Sequence, residues 1–256
     1  FVGSVQTGFQ VNGTNLGSVT TTPATVRFIA ASGTPFANGT SSFVDVPGVV
    51  NAAGTQITGT TPIVTLCGVA SVTGTVRVTL QDGTCVDSAA AFFTFNGPTV
   101  TNVNGVVPAV VPSSSPAPIT INGTGFGPVG GFADVVFVSD PAPEPPLFAD
   151  GTQRESAPVL GTITSPTTIT VTPPNVTVSN AGSRFASVRV RLAGGSCAAS
   201  PAQVMRFDAP TITSFVATPG PTLDAAIPTG FTINGTAFGP GGSEALVRFV
   251  ADGGAT

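Results

Sequence analysis

Histidine, lysine, tryptophan and tyrosine are missing from the 256 residues, and methionine occurs once. Each absence closes a route to chemistry. Without histidine there is no Ser-His-Asp or Cys-His nucleophile system and no imidazole metal site, and without lysine there is no Schiff base. Charged residues make up 8% of the chain, where about a quarter is usual. The eight cations are all arginine, scattered at 27, 77, 154, 184, 189, 191, 206 and 248, and only Arg184, Arg189 and Arg191 come near one another. Nucleic acid binding needs clustered cations to displace counterions from phosphate, so no nucleic-acid partner is expected. Long apolar runs are lacking too. Mean hydropathy is +0.41, yet Gly, Pro, Ser or Thr interrupts every run well before the ~20 residues a bilayer span needs. The apolar residues are therefore expected to form core, with no membrane insertion. These absences predict a non-enzyme with no catalytic residue, metal or cofactor. The chain opens inside a strand-like pattern without a charged leader, as expected of a processed secreted chain or a window of a longer one.

What is present is an internal repeat. Val11-Asn12-Gly13-Thr14-Asn15-Leu16-Gly17 recurs as Ile121-Asn122-Gly123-Thr124-Gly125-Phe126-Gly127 and as Ile233-Asn234-Gly235-Thr236-Ala237-Phe238-Gly239, at offsets of 110 and 112. Val76-Arg77-Val78 matches Val188-Arg189-Val190, Cys85 matches Cys197, and Pro98-Thr99-Val100-Thr101 matches Pro210-Thr211-Ile212-Thr213, all at 112. Behind each Asn-Gly-Thr triplet a second strand is expected, at Val26-Arg27-Phe28, Val135-Val136-Phe137 and Val247-Arg248-Phe249. The units run from 1 to 97, 98 to 209 and 210 to 256. The first lacks its opening strand, whose counterpart in the third is Pro210 to Thr222, and the third is the N-terminal part of a domain.

Within each unit the pattern alternates and is rich in β-branched residues, as in Thr168 to Thr172, Ser187 to Leu192, Thr75 to Leu80 and Phe92 to Phe95. Hairpin turn chemistry sits at Asp82-Gly83, Gly194-Gly195, Asp150-Gly151 and Asp252-Gly253. Seven or so short strands in roughly 110 residues predict an all-β chain of tandem immunoglobulin-like β-sandwiches.

The order Pro-Thr-Ile-Thr-Ser-Phe, Phe-Thr-Ile-Asn-Gly-Thr-x-Phe-Gly, Val-Arg-Phe-Val, Thr-Ile-Thr-Val-Thr-Pro-Pro and Val-Arg-Val-Arg-Leu-x-Gly-Gly resembles the IPT/TIG family of immunoglobulin-like domains. The likeness spans nearly the whole chain. One departure is the last strand, which in that family ends in Tyr and here ends in Phe95 and Phe207. The resemblance implies a fold shared by surface proteins, receptor ectodomains, transcription factors and accessory modules of secreted carbohydrate enzymes, so it implies architecture better than function.

The candidate sites are few. The triplets at Asn12, Asn122 and Asn234 read as structural turns, with Gly17, Gly127 and Gly239 supplying positive φ. They also match the glycosylation sequon, for which Asn38 and Asn175, outside the repeated motif, are better candidates. Cys67, Cys85 and Cys197 suggest oxidised thiols, but their number is odd. Cys67 and Cys85 stand at opposite ends of one sandwich, roughly 17 to 20 Å apart, too far to bridge. A bond from Cys67 to Cys197 across a head-to-tail junction and free buried thiols both remain open, with Cys85 left for a preceding domain or neighbouring chain. Asp82 with Asp87, or Asp140, Glu144 and Asp150, could hold calcium, although solvated turn carboxylates explain them as well. Phe28, Phe137, Phe207 and Phe249 are expected in the core. Phe132, Phe148 and Phe185 are expected near loops as contact residues, with the Pro-rich Asp140 to Ala157 insertion as a lateral contact.

The leading functional expectation is an extracellular, cell-surface structural protein that self-associates into a stalk, sheath or filament. Thr211, Ile212, Phe215 and Val216 could fill, in a second copy, the vacancy at the start of its first unit. The alternative is an adhesin or carbohydrate-binding accessory module. It is weakened by the lack of Trp and Tyr, whose rings stack on sugars while keeping a polar tip in water.

Overall fold

A computed structural model describes residues 1–3, 5–17, 23–31, 41–114, 116–140, 148, 154–178, 182–217, 230–238 and 244–249. The chain is all-β, with no helix among the described residues. In the first unit the strands are β1 (Gly8–Asn12), β2 (Ala24–Ala30), β3 (Phe43–Val50), β4 (Gln56–Thr60), β5 (Ser71–Thr79), β6 (Cys85–Asp87) and β7 (Phe93–Asn96). In β2 and β5 buried and open positions alternate along the strand, because successive side chains point to opposite faces and only one face meets the core.

The hydrogen-bonded order is β1-β4-β3-β2-β5-β6, with β7 also on β5. This ribbon doubles back. β3 pairs with β2 through Phe43 to Gly48 and with β4 through Gly48 to Val50, so one strand passes from the first layer to the second. Gly48 stands at the changeover, where a Cβ would collide with the side chains of Ile57 and Val26. The rings of Phe9 on β1 and Phe28 on β2 lie 5.4 Å apart at their centroids. Three ladder steps in a flat sheet would separate these strands by about 14 Å, so the two layers face each other across a core.

The second unit adds β8 (Thr99–Val103) and β9 (Ala109–Pro112), then runs through β10 (Ile119–Thr124), β11 (Phe132–Asp140), β12 (Val159–Ser165), β13 (Thr168–Val171), β14 (Ser183–Leu192), β15 (Cys197–Ala199) and β16 (Met205–Asp208). Its order, β8-β10-β13-β12-β11-β14-β16-β9 with β15 on β14, repeats in β10 to β16 the pairings of β1 to β7. β9 runs parallel to β16. Its place in the first unit is taken by the first residues, where Val2 bridges Asn96 in parallel, Gly3 N donates to Asn96 O and Asn96 N donates to Phe1 O. Of the two opening strands, only β8 has no counterpart in the described part of the first unit.

The third unit shows β17 (Thr211–Ala217) paired with β18 (Phe231–Thr236). The expected strand at Val247 to Phe249 is not formed, and Phe249, expected in the core, is exposed. In the second unit the corresponding β11 is held between β12 and β14; no strand of the third unit flanks Val247 to Phe249 in that way among the described residues. Phe249 packs on Phe215 and Phe231. Phe148 also departs from expectation: it is buried, with its ring edge-on to Phe207, and it bridges Val176. A Pro-rich surrounding marks irregular backbone, but says nothing about which side chain the core recruits from it.

Candidate functional site

Two features combine residues from different parts of the chain. The first is the junction between the first two units. After β4 the chain is anchored inward by buried Val64 and Leu66 and by a two-way bond in which Thr7 N donates to Thr61 Oγ1 and Thr61 N donates to Thr7 O. The stretch so fixed, Val64 to Cys67, lies against the turn between β14 and β15. That turn is closed by Leu192 N donating to Ser196 O and by Gly195 N donating to Leu192 O, with Gly195 at φ 83°. Ser196 is fully buried and doubly used: its Oγ donates to Val64 O at 2.9 Å and accepts from Leu66 N at 3.1 Å. Cys197 N donates to Leu66 O at 3.0 Å, and Thr65 Oγ1 donates to Gly194 O at 3.0 Å. Beside these bonds Cys67 and Cys197 form a disulfide with Cα atoms 4.6 Å apart, while Cys85 is free and exposed.

The second feature is an open edge. β10 carries β8 on one side, with Thr99 and Thr124 hydroxyls bonded at 2.8 Å, Asn122 Nδ2 donating to Asn102 Oδ1 at 2.7 Å and Thr101 Oγ1 donating to Asn122 O at 3.0 Å. β18 carries β17 in the same way, through Thr211 with Thr236, Asn234 Nδ2 to Ser214 Oγ and Thr213 Oγ1 to Asn234 O. The Asn-Gly-Thr triplet is thus not the turn expected from its glycine. In the second and third units it lies within a strand, and in the first it starts where β1 ends. Its glycine makes room: a Cβ at Gly123 would run into the Thr99 carbonyl, and one at Gly235 into the Thr211 carbonyl. On β1 the triplet has no such strand among the described residues. Asn12 Oδ1 instead accepts from Gln10 Nε2 at 2.9 Å and Gln56 Nε2 at 3.4 Å, and the nearest atoms to a Cβ on Gly13 belong to Leu16, at 3.2 Å and beyond.

Beside this edge the first unit has a cleft of about 250 Å³ lined by Val11, Val76, Val78, Val86 and Phe92 among others. In the second unit the corresponding Val188, Val190, Ala198 and Val204 are buried in one core with Val100 and Val103 of β8. Val86 is 56% exposed where Ala198 is 8%, and Phe92 is 49% exposed where Val204 is 0%. The contrast lies at Val86 and Phe92 alone, since Val76 and Val78 are buried like Val188 and Val190; β8 lies against β15, which carries Ala198, the counterpart of Val86.

The other candidates fall elsewhere. Gly17 and Gly127 have φ of 85° and 107°. Asn38, Gly239, Glu144 and Asp150 lie outside the described residues, as does most of the Asp140 to Ala157 insertion. Asn175 is exposed in the connection after β13. The two acids of the hairpin expectation are both engaged: Asp82 accepts from Thr84 N, and Asp87 holds Arg77 in a bidentate pair at 2.6 and 2.8 Å. Asp140 accepts from Gln203 N, and no group of three metal-ligating side chains occurs among the described residues. Phe132 is exposed, and Phe185 is half-buried within β14.

Hydrogen bonds from guanidinium groups hold two carboxyls of the first unit below the usual range, Asp45 through Arg27 and Asp87 through Arg77. Both pairs lie on the surface, where solvent screens them. No protein-family model matches the chain, and no curated protein matches it.

Proposed function

We propose that the chain is a non-catalytic structural protein of the cell exterior. In this reading its units are tandem immunoglobulin-like sandwiches of the IPT/TIG kind, packed end on end, and copies extend the series into a stalk, sheath or filament. The observation that carries it is the junction, where a stretch of one unit is locked to a turn of the next by a disulfide and by the hydrogen bonds of Ser196, Cys197 and Thr65. Such a joint resists bending and pulling apart, which a load-bearing array needs and a freely linked binding module does not. A persistent disulfide also fits an oxidising compartment.

Negative-stain imaging of native material tests the proposal. Continuous fibres with an axial repeat that accommodates two or three sandwiches are expected. Dispersed single particles under non-reducing conditions would overturn it, and strong glycan-array binding by such particles would move the assignment to a carbohydrate-binding module.

A further inference from the structure

We infer that the outer face of β11, β12 and β14 is a lateral contact surface, and that its partner is the same face of a second copy of this chain. The contact goes beyond the end-on-end reading and stands on the second unit alone. Across three neighbouring strands Leu160, Asp134 and Arg191 stand in register, and Phe132 shares their face two residues before Asp134. All four are exposed, Leu160 at 63% and Phe132 at 53%. Together with Ala193 and Gly195 they line a cleft of about 250 Å³. The fold does not ask for this row. At the same ladder positions the first unit carries Pro47, Thr25 and Thr79, with Pro23 in place of Phe132.

Charge decides the partner. Arg27 and Asp45, and likewise Arg77 and Asp87, stand opposite each other on paired strands, and both couples close into bidentate pairs. Asp134 and Arg191 have the same placement, yet neither makes an ion pair or a side-chain hydrogen bond among the described residues. An acid and a base side by side and unengaged, next to two exposed apolar side chains, form a self-complementary pattern. A two-fold axis running along the strands between β11 and β14 sets Asp134 against the partner's Arg191 and Arg191 against the partner's Asp134. Four charges then alternate in sign around a square. The same axis lays Phe132 on the partner's Ala193, because Ala133 faces Leu192 in the ladder and position 193 lies across from 132. Each Phe132 thereby enters the cleft of the other copy and leaves water. The receiving rim is fixed before contact, since Arg191 faces Cys197, whose disulfide ties β15 to the first unit, and docking therefore orders little that was free.

The test is sedimentation velocity of the full chain with Cys85→Ser, over a series of concentrations. A reversible association that weakens with added salt is expected. Asp134→Arg and Arg191→Asp should each lower it, because like charges then face each other. Mixing these two variants should restore it, as should combining both substitutions in one chain. Phe132→Ser should weaken it about tenfold with no change in the thermal melt. A parent chain that stays monomeric throughout, or association that neither charge reversal lowers, overturns the inference. So does a mixture of the two reversals that stays as dissociated as either alone. If a reversal variant does not fold, Asp134→Asn with Arg191→Gln replaces it, and undiminished association by that chain overturns the inference. Electron micrographs keep this contact apart from the end-on-end one: the reversals should leave fibres as long as the parent's but unpaired, and fibres that remain paired also overturn it.

Discussion

Phe92 and Val204 occupy the same place in two successive units, each just after a non-glycine residue with positive φ, Ala91 at 53° and Gln203 at 58°. The backbone is repeated; the surroundings are not. Val204 is buried in the core that holds Val100 and Val103 of β8, its carbonyl accepting from Ala109 N at the start of β9, and Phe92 looks out of a cleft. The difference teaches that the strands themselves bury Val76 and Val78 as they bury Val188 and Val190, whereas the positions on the rim, Val86 and Phe92 against Ala198 and Val204, take their burial from what lies beside them. Carboxylates placed at these two sites probe it most strongly. Val204→Asp should cost about 3–5 kcal/mol, because it buries a charge without a partner. Phe92→Asp should cost less than about 1 kcal/mol in the isolated chain, because water already reaches the site. Chemical unfolding followed by hydrogen exchange at Val188 and Val76 reads the two units separately. Equal losses would mean that the two sites do not differ in burial.

Cys197 and Cys85 extend the comparison to the turns. Both open a short strand after a tight turn of the same shape, with Gly195 at φ 83° and Gly83 at 86°, and both face the strand before them in the same register, opposite Arg191 and Thr79. One is bonded to the preceding unit; the other is exposed and free. Cys197→Ser should lower stability by about 2–5 kcal/mol, since the bond closes a long loop in the unfolded chain. Cys85→Ser should change it by less than about 0.5 kcal/mol. Intact mass with and without reductant checks the pairing, and denaturant midpoints check the two costs. A Cys197→Ser chain as stable as its parent would show that hydrogen bonds alone hold the junction.

Strand positions were legible because β-branched alternation is a local signal, and the repeat marked the places where one unit should mirror another. The all-β class followed from these. What was not legible depends on partners distant in the chain. Gly123 reads locally as a turn glycine, but its reason is the carbonyl of Thr99, which arrives on another strand. Val247 to Phe249 carries strand chemistry without neighbouring strands to pair with among the described residues, and a strand exists only as part of a ladder. The junction cysteines could be narrowed by length arguments, whereas the clasp of Ser196 on Val64 and Leu66 had no signature, because a serine after two glycines reads only as turn. The exposure of Val86 and Phe92 had no signature either, because their aligned counterparts Ala198 and Val204 are buried.

The smallest expected effect concerns the strand that follows each of these turns. Asp87 on β6 grips Arg77, whereas the corresponding position on β15 is Ala199, and Arg189 reaches instead to Glu155 at 2.7 Å. The guanidinium holds the Asp87 carboxyl below its usual range, so the folded state binds its proton more weakly than the unfolded chain does. The resulting stability is present above the unfolded value of about 3.9 and is lost as the pH falls through the lower folded value. Asp87→Asn should therefore lower the unfolding midpoint of the first unit slightly at neutral pH, and the gap to the parent chain should close as acidification passes below the usual carboxylate range. The second unit, which has no carboxylate at this position, should show no such change on Ala199→Asn. Since the pair is exposed and screened, added salt should narrow the same gap. A gap that persists at low pH and in high salt would mean that Asp87 acts through packing against Arg77 rather than through its charge.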